Sequence, residues 1–209
     1  VVLTSAMRPA TALSPDGPQN LLDAVAVALE PDARDVLAVA AGAVHEARWV
    51  HKAFPYRVDA FSSGEAGPCG WVEEGQVRWV RRPSTQANSI HTALLNDLPA
   101  AQGWPWVEVV LSAAGASGRA VDALVDAQVN GLVVASTGNG SLHHALKDAL
   151  LRASERGVRV VKATRCGQGQ SLVGDLGDFP SYAGLSPIKA RVALLLDLLA
   201  ERGAQNSGV

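Results

Sequence analysis

Residues 5–20 read SAMRPATALSPDGPQN, and they separate one short apolar run from a longer one. Pro9 and Pro15 restrict their own backbone and that of the residue before them, so the segment is predicted to be a rigid loop. Pro18 suits the first turn of a helix, with Asp16 or the glycine after it as the cap. The stretch therefore predicts a strand, a rigid polar loop and a helix, and open α/β sheets bind ligands at such loops.

The first third of the chain repeats this alternation of strand and helix. Continuously apolar strands at 1–4 and 36–41 flank a helix at 18–29, which is the pattern of a parallel sheet buried on both faces. Weaker signals follow for a mixed edge of the sheet, with short strands and a hairpin around Glu73-Glu74-Gly75. These weaker strands are predicted at 49–54, 57–61, 69–72 and 76–80.

A second domain is predicted after a polar linker at 82–105, which carries one weak helical patch at 90–95. Strands and helices then alternate, which predicts a three-stranded parallel sheet. Ser186 and Pro187 signal the start of a final helix, and Gly203 its end. The fold class is α/β, with a first domain at 1–81 and a second at 106–209. The second domain has strands predicted at 106–111, 131–135 and 158–163 and helices at 118–127 and 142–155.

Composition narrows the function classes. The chain has 209 residues, is 48% hydrophobic and carries a net charge of -2. Nucleic-acid binding needs clustered Lys and Arg, so no nucleic-acid partner is expected. No run of 18 apolar residues occurs, so no membrane span is expected. Cys69 and Cys166 are too few for a disulfide scaffold and have no metal-ligand spacing, and we predict that both are reduced and that no metal is bound.

Several segments together resemble the bacterial-type L-asparaginases. The pattern A-M-R-P-A-T followed by S-P-D-G-P-Q-N is similar to the middle of those enzymes, which hydrolyse L-asparagine, and often L-glutamine more slowly, to the acid and ammonia. Further segments resemble the family in the same order along the chain. They are Trp49–Lys52, Asp59–Phe61, Ala66–Gly70, Ala114–Ser117, Gly138–Ser141 and Ser186–Arg191.

The resemblance implies a fold, a reaction and an assembly. It implies the carboxyl-terminal part of a larger Rossmann-like domain followed by a smaller flavodoxin-like three-layer domain. A threonine nucleophile would form an acyl-enzyme with the substrate amide, and no metal or organic cofactor would be needed. The family assembles as homotetramers, dimers of intimate dimers, in which the smaller domain faces a neighbour's active site.

Three site residues follow from the resemblance. Lys52 falls on the family's catalytic lysine, which moves a proton beside a threonine and an aspartate. Without the resemblance, Lys52 is better explained as a solvated strand lysine, because a lysine base needs its pKa lowered from about 10.4 toward 7 or 8. Ala6 would hold the substrate amide nitrogen with its backbone carbonyl. Gly115 stands where several members carry an asparagine that reaches the neighbouring substrate site, and glycine cannot supply its hydrogen bonds.

The family's T-G-G-T-I and H-G-T-D-T segments do not occur in the sequence. In the family, the T-G-G-T-I segment carries the nucleophile. We therefore expect this chain to be the carboxyl-terminal two-thirds of the enzyme and to be inactive alone. Asp175 and Asp178 are the only acidic candidates for a glutamate that some members use. Preference for asparagine or glutamine, and location in the bacterial cytoplasm or periplasm, stay open.

Two other functions stay open on the same residues. One is a non-catalytic ligand-binding or interaction domain that keeps the asparaginase fold, because the nucleophile is not seen. The other is the related amidase subunit that deamidates charged tRNA. The modest acidic charge and the lack of a basic face count against the second.

Overall fold

A computed structural model describes residues 1–83, 103–172, 179–182 and 184–206. The chain divides into two compact units, Val1–Ala87 and Asn88–Val209, called unit 1 and unit 2 below. Most of the predicted linker at 82–105, including its helical patch, lies outside the described residues. Asp175 and Asp178 lie outside them as well.

Unit 1 is built on a five-stranded sheet in the order β1-β2-β3-β6-β7. Strands β1 and β2 run parallel, with Val2 opposite Leu37, and every other neighbouring pair is antiparallel. A separate two-stranded ribbon consists of β4 and β5. The elements are β1 (Val2–Thr4), α1 (Gly17–Leu29), β2 (Leu37–Ala40), β3 (Ala43–Glu46), β4 (His51–Lys52), β5 (Phe61–Ser62), β6 (Gly70–Glu73) and β7 (Gln76–Trp79).

The predicted β-α-β start of unit 1 is confirmed, but β3 was not predicted. Ala41 and Gly42 form the turn between β2 and β3 with φ of 50° and 74°, the positive values of a tight two-residue hairpin. Asn-Gly or Asp-Gly usually signals such a turn in a sequence, whereas the Ala-Gly pair found here is a weak signal. The strand predicted at 36–41 ends at this turn, and the strand after the turn was not recognised.

One face of the unit 1 sheet packs on α1. The buried side chains between them are Ala24, Val27, Leu37, Val39, Val44, Cys69 and Val72. Since side chains alternate across a strand, Val44 faces α1 and its neighbour His45 lies on the opposite face. This alternation places a buried histidine on the side of the sheet away from α1.

Unit 2 has three layers around a parallel sheet in the order β10-β9-β8. The central strand β9 is buried along its whole length. Helices α2 and α3 pack on one face, and α4 packs on the other through Ala190 and Leu194. The elements are β8 (Val107–Leu111), α2 (Arg119–Asp126), β9 (Gly131–Ser136), α3 (His144–Glu155), β10 (Arg159–Thr164) and α4 (Pro187–Asn206).

The final helix begins as predicted and ends later. It starts at Pro187, and the Ser186 carbonyl accepts the Ala190 N–H at 2.8 Å. The prediction that Gly203 ends the helix is wrong, because α4 continues to Asn206. Gly203 is exposed, and a glycine in an exposed helix costs only about 1 kcal/mol relative to alanine, so the helix passes through it. Within the described residues, no helix is both long and apolar enough to cross a bilayer.

Candidate functional site

The loop between β1 and α1 is organised by the Asp16 carboxylate. The backbone N–H groups of Met7 and Arg8 donate to its oxygens at 2.9 and 2.8 Å. Asp16 occupies the N-cap position of α1, but its side chain makes no hydrogen bond to the helix amides ahead of it. The Asp16 side chain therefore does not cap the helix but holds the two ends of the loop together, which we call a clamp. The Arg8 guanidinium adds a second bond across the loop by donating to the Ser14 carbonyl at 3.0 Å.

Asn20 ties this loop to the sheet. Its side chain is 2% exposed, and Nδ2 donates to the Ser5 carbonyl at 2.9 Å and to Asp16 at 3.1 Å. Its Oδ1 accepts the Ala41 N–H at 3.0 Å. Ser5 follows β1 and Ala41 follows β2, so one amide joins the carboxyl ends of the two parallel strands. The predicted rigid loop at a strand's carboxyl end is what the structure contains.

Ala6 lies on this loop against the start of α1. A β-carbon added at Gly17 would lie 3.4 Å from the Ala6 Cβ, so two small residues let the loop lie directly on the helix. No other described residue donates a hydrogen bond to the Ala6 carbonyl. Ala6 itself is exposed.

Lys52 lies on the ribbon and is exposed. It pairs with Phe61 of β5, and the ribbon closes where the Ala53 N–H donates to the Ala60 carbonyl at 2.8 Å. Within the loop between the strands, Arg57 forms a bidentate ion pair with Asp59. The sequence predicted longer strands, at 49–54 and 57–61. In the structure, the predicted residues outside β4 and β5 belong to this closed loop and to the turn before β4.

An ion pair anchors the segment that follows the ribbon. Arg81 pairs with the buried carboxylate of Glu46 and also reaches toward the Ala66 and Gly67 carbonyls, at 3.5 and 3.4 Å.

Burial, reinforced by the Glu46 charge, raises the pKa of the Cys69 thiol to about 11. The thiol is therefore protonated at neutral pH.

Gly115 belongs to the turn between β8 and α2. Its φ is 73°, and a β-carbon there would meet no atom within 4 Å. The same turn starts at Ser112, whose hydroxyl accepts the His143 N–H at 3.1 Å at the beginning of α3. The turn is thus held at its buried end and open at Gly115.

The second glycine-rich turn, between β9 and α3, is closed on itself. The N–H groups of Gly140 and Ser141 both donate to the Thr137 carbonyl. A β-carbon at Gly140 would lie 2.6 Å from the Nζ atom of Lys162, a buried residue of β10 that the sequence did not single out. Gly140 has φ of 110°, which L side chains rarely adopt, so its backbone as well as the approach of Lys162 favours glycine there. The N–H groups of Thr137, Gly140 and Ser141 therefore already have backbone partners.

The other candidate ligands do not form a metal centre. His143 and His144 stack with ring centroids 4.3 Å apart. Among the described residues, no group of three or more His, Cys, Asp or Glu side chains has an arrangement that could hold a metal ion. The two cysteines are free, Cys69 buried and Cys166 exposed.

A loop clamped at the carboxyl ends of two parallel strands, followed by a two-stranded ribbon and a second parallel α/β unit, defines a two-unit α/β protein. The solved structure of a probable cytoplasmic L-asparaginase from Campylobacter jejuni has the same fold. It matches with a TM-score of 0.83 and 35% identity over 94% of this chain and 65% of that one.

Comparison with known families identifies this class further. The family description "Asparaginase, N-terminal" matches residues 1–85, and "Glutaminase/Asparaginase C-terminal domain" matches residues 106–206. The chain belongs to the asparaginase/glutaminase family.

Curated relatives match along nearly the whole chain. L-asparaginase 2 of Escherichia coli is 35% identical over 98% of this chain and 60% of its own length. The glutaminase-asparaginase of Pseudomonas fluorescens is 32% identical over 95% of this chain and 56% of its own length. The chain therefore spans less than two-thirds of the proteins that it resembles.

We predict that Asp16→Asn loosens the loop and destabilises unit 1 by about 1 kcal/mol, because an amide nitrogen would then face a backbone donor. The matched control is Asp126→Asn, an exposed partner of Arg156 at 3.1 Å, for which we expect less than about 0.5 kcal/mol. Urea denaturation of both variants measures the difference. Equal losses would contradict a clamping role for Asp16.

Asp16→Asn should also change how the free energy of unfolding depends on pH. The Met7 amide, with Arg8 and Asn20, holds the pKa of the Asp16 carboxyl below its usual 3.8. The stability that Asp16 contributes is therefore complete above pH 3.8 and is lost as the pH falls through the lower folded-state pKa. Asp16→Asn should lose this share of the acid dependence, and an unchanged acid dependence would contradict the assignment.

Proposed function

We propose that the intact protein to which this chain belongs is an amidohydrolase that converts L-asparagine to aspartate and ammonia, with L-glutamine as a slower substrate. One observation carries the proposal. Both halves of the family match in order on a chain whose first loop leaves the Ala6 carbonyl open at the carboxyl edge of β1 and β2. The relatives named above are called L-asparaginase or glutaminase-asparaginase, which supports the substrate class.

The proposed reaction has two steps. A threonine hydroxyl attacks the side-chain amide carbon, the C–N bond breaks, and ammonia leaves with a proton transferred to it. Water then hydrolyses the threonine ester and restores the hydroxyl. Since the family's two threonine-bearing segments do not occur in these residues, the proposal requires the nucleophile to come from elsewhere in the intact protein.

The residues of this chain would bind substrate and move protons. The Ala6 carbonyl would accept a hydrogen bond from the substrate amide nitrogen and so orient the bond that breaks. Lys52 would act in proton transfer, and its exposure on the ribbon leaves its amine accessible to a threonine and an aspartate. No cofactor enters these steps.

The proposed assembly is a homotetramer, a dimer of intimate dimers, in which the turn at Gly115 faces a neighbour's substrate. Such a turn must be exposed in the single chain, and Gly115 is exposed. The neighbour would bury it.

The deciding experiment measures the intact mass, the sedimentation behaviour and ammonia release from L-asparagine on one sample. A mass well above 21.7 kDa, a tetramer and ammonia release are expected. Ammonia release by a monomer would overturn the assembly and keep the reaction. A mass near 21.7 kDa without release would favour the non-catalytic domain of asparaginase fold.

Lys52→Met in the intact protein is expected to lower kcat by about 100-fold or more, the usual contribution of general acid–base catalysis, with the fold unchanged. Lys147→Met on α3 is the matched control and should keep its rate. Ammonia release and circular dichroism measure the two effects. An undiminished rate for the Lys52 variant would remove this lysine from the mechanism.

Gly115→Asn is expected to lower KM about fivefold, the equivalent of one added hydrogen bond of about 1 kcal/mol. The backbone permits the change, because asparagine tolerates the positive φ and nothing lies within 4 Å. Gly157→Asn is the control, since it also has positive φ and open space but lies before β10, at the opposite edge of the sheet. Equal kinetics in both variants would place the Gly115 turn away from the substrate.

A further inference from the structure

The ribbon that carries Lys52 is not part of the main sheet of unit 1. Each of its strands contains two residues, and they pair only with each other. On one side the ribbon is joined to β3 through a turn, in which the Trp49 and Val50 N–H groups donate to the Glu46 carbonyl at 3.0 Å. Its second strand needs a separate attachment to the sheet.

His45 makes that attachment. Its Nδ1 lies 2.9 Å from the Ser63 hydroxyl oxygen, and Ser63 directly follows β5. Both residues are buried, with 4% and 5% of their surface exposed. His45 is on β3, on the face opposite α1, so the hydrogen bond joins the main sheet to the end of the strand that pairs with Lys52.

We propose that neutral His45 is a positioning residue for Lys52, and that protonation of His45 releases the ribbon and lowers turnover at acid pH. The proposal rests on the proposed function for its kinetic consequence. Its structural consequence, a ribbon that loosens at acid pH, stands without it.

The surroundings of His45 oppose a charge. Burial, followed by the charge of His51 on β4, lowers the pKa of His45 below its usual 6.5. Glu46 lies on the other face of β3 and is already paired with Arg81, and Ser63 is uncharged. A proton on His45 therefore adds a buried cation beside the imidazole of His51.

The direction of the effect follows from the two states. The unfolded chain binds a proton at His45 below pH 6.5, whereas the folded chain resists it to a lower pH. The free energy of unfolding therefore falls as the pH falls below 6.5. A local opening that lets His45 reach water gains the same free energy, and release of Ser63 at the end of the ribbon is such an opening.

The test is amide hydrogen exchange of the intact protein between pH 7.5 and 5.0, as protection factors for residues 49–54 and 60–64, beside kcat for ammonia release. In the wild type we expect protection of the ribbon to fall at least tenfold toward pH 5.0 while α1 stays protected. His45→Leu should abolish this pH dependence, and the acid limb of kcat should move to lower pH. His144→Leu, an exposed histidine on α3, is the control and should match the wild type.

Ser63→Ala provides a second route, because it removes the same hydrogen bond with a smaller change. It should show low ribbon protection already at pH 7.5. Retention of the wild-type pH dependence by His45→Leu, or wild-type protection in Ser63→Ala, would overturn the positioning role. If the wild type releases no ammonia, the proposed function fails while the exchange data still decide the role of His45.

Discussion

Unit 1 depends on one buried amide. The Asn20 side chain uses three of its four hydrogen-bonding positions on the Ser5 carbonyl, the Asp16 carboxylate and the Ala41 N–H. Parallel strands end with backbone groups that have no ladder partner, and these groups must be satisfied where the loop leaves the sheet. Asn20 does so for two strands at once, and the loop that presents the Ala6 carbonyl takes its shape from that constraint.

The loop and the ribbon differ in how firmly they are held, and the difference suits their roles. The loop is clamped through several bonds to Asp16 and Asn20, which favours a fixed carbonyl for orienting a substrate. On one side the ribbon is joined to β3 by a turn, and on the other a hydrogen bond links Ser63 to His45. Under the proposal above, local opening of the ribbon, and with it the position of Lys52, depends on that buried imidazole.

In unit 2, two glycine-rich turns look alike in sequence, but their glycines lie in different surroundings. Both glycines have a positive φ, but the Lys162 side chain lies against Gly140, whereas Gly115 has open space. In the turn at Gly140, the N–H groups of Gly140 and Ser141 are bonded to the Thr137 carbonyl, so these two amides are not available to an anion. The turn at Gly115 has open space around that glycine.

The sequence alone determined the α/β class, the parallel start of each unit and the position of the rigid loop, because apolar periodicity and proline restrict the backbone locally. It also indicated the family, since motifs in one order are specific. It missed β3, whose alanine-glycine turn carries no strong signal, and it extended the ribbon strands beyond His51–Lys52 and Phe61–Ser62. Only the tertiary structure decided that Asp16 clamps a loop instead of capping a helix, that Lys162 lies against Gly140 and that His45 meets Ser63. These contacts join residues distant along the chain, and they exist only once the sheet and helices have brought those residues together.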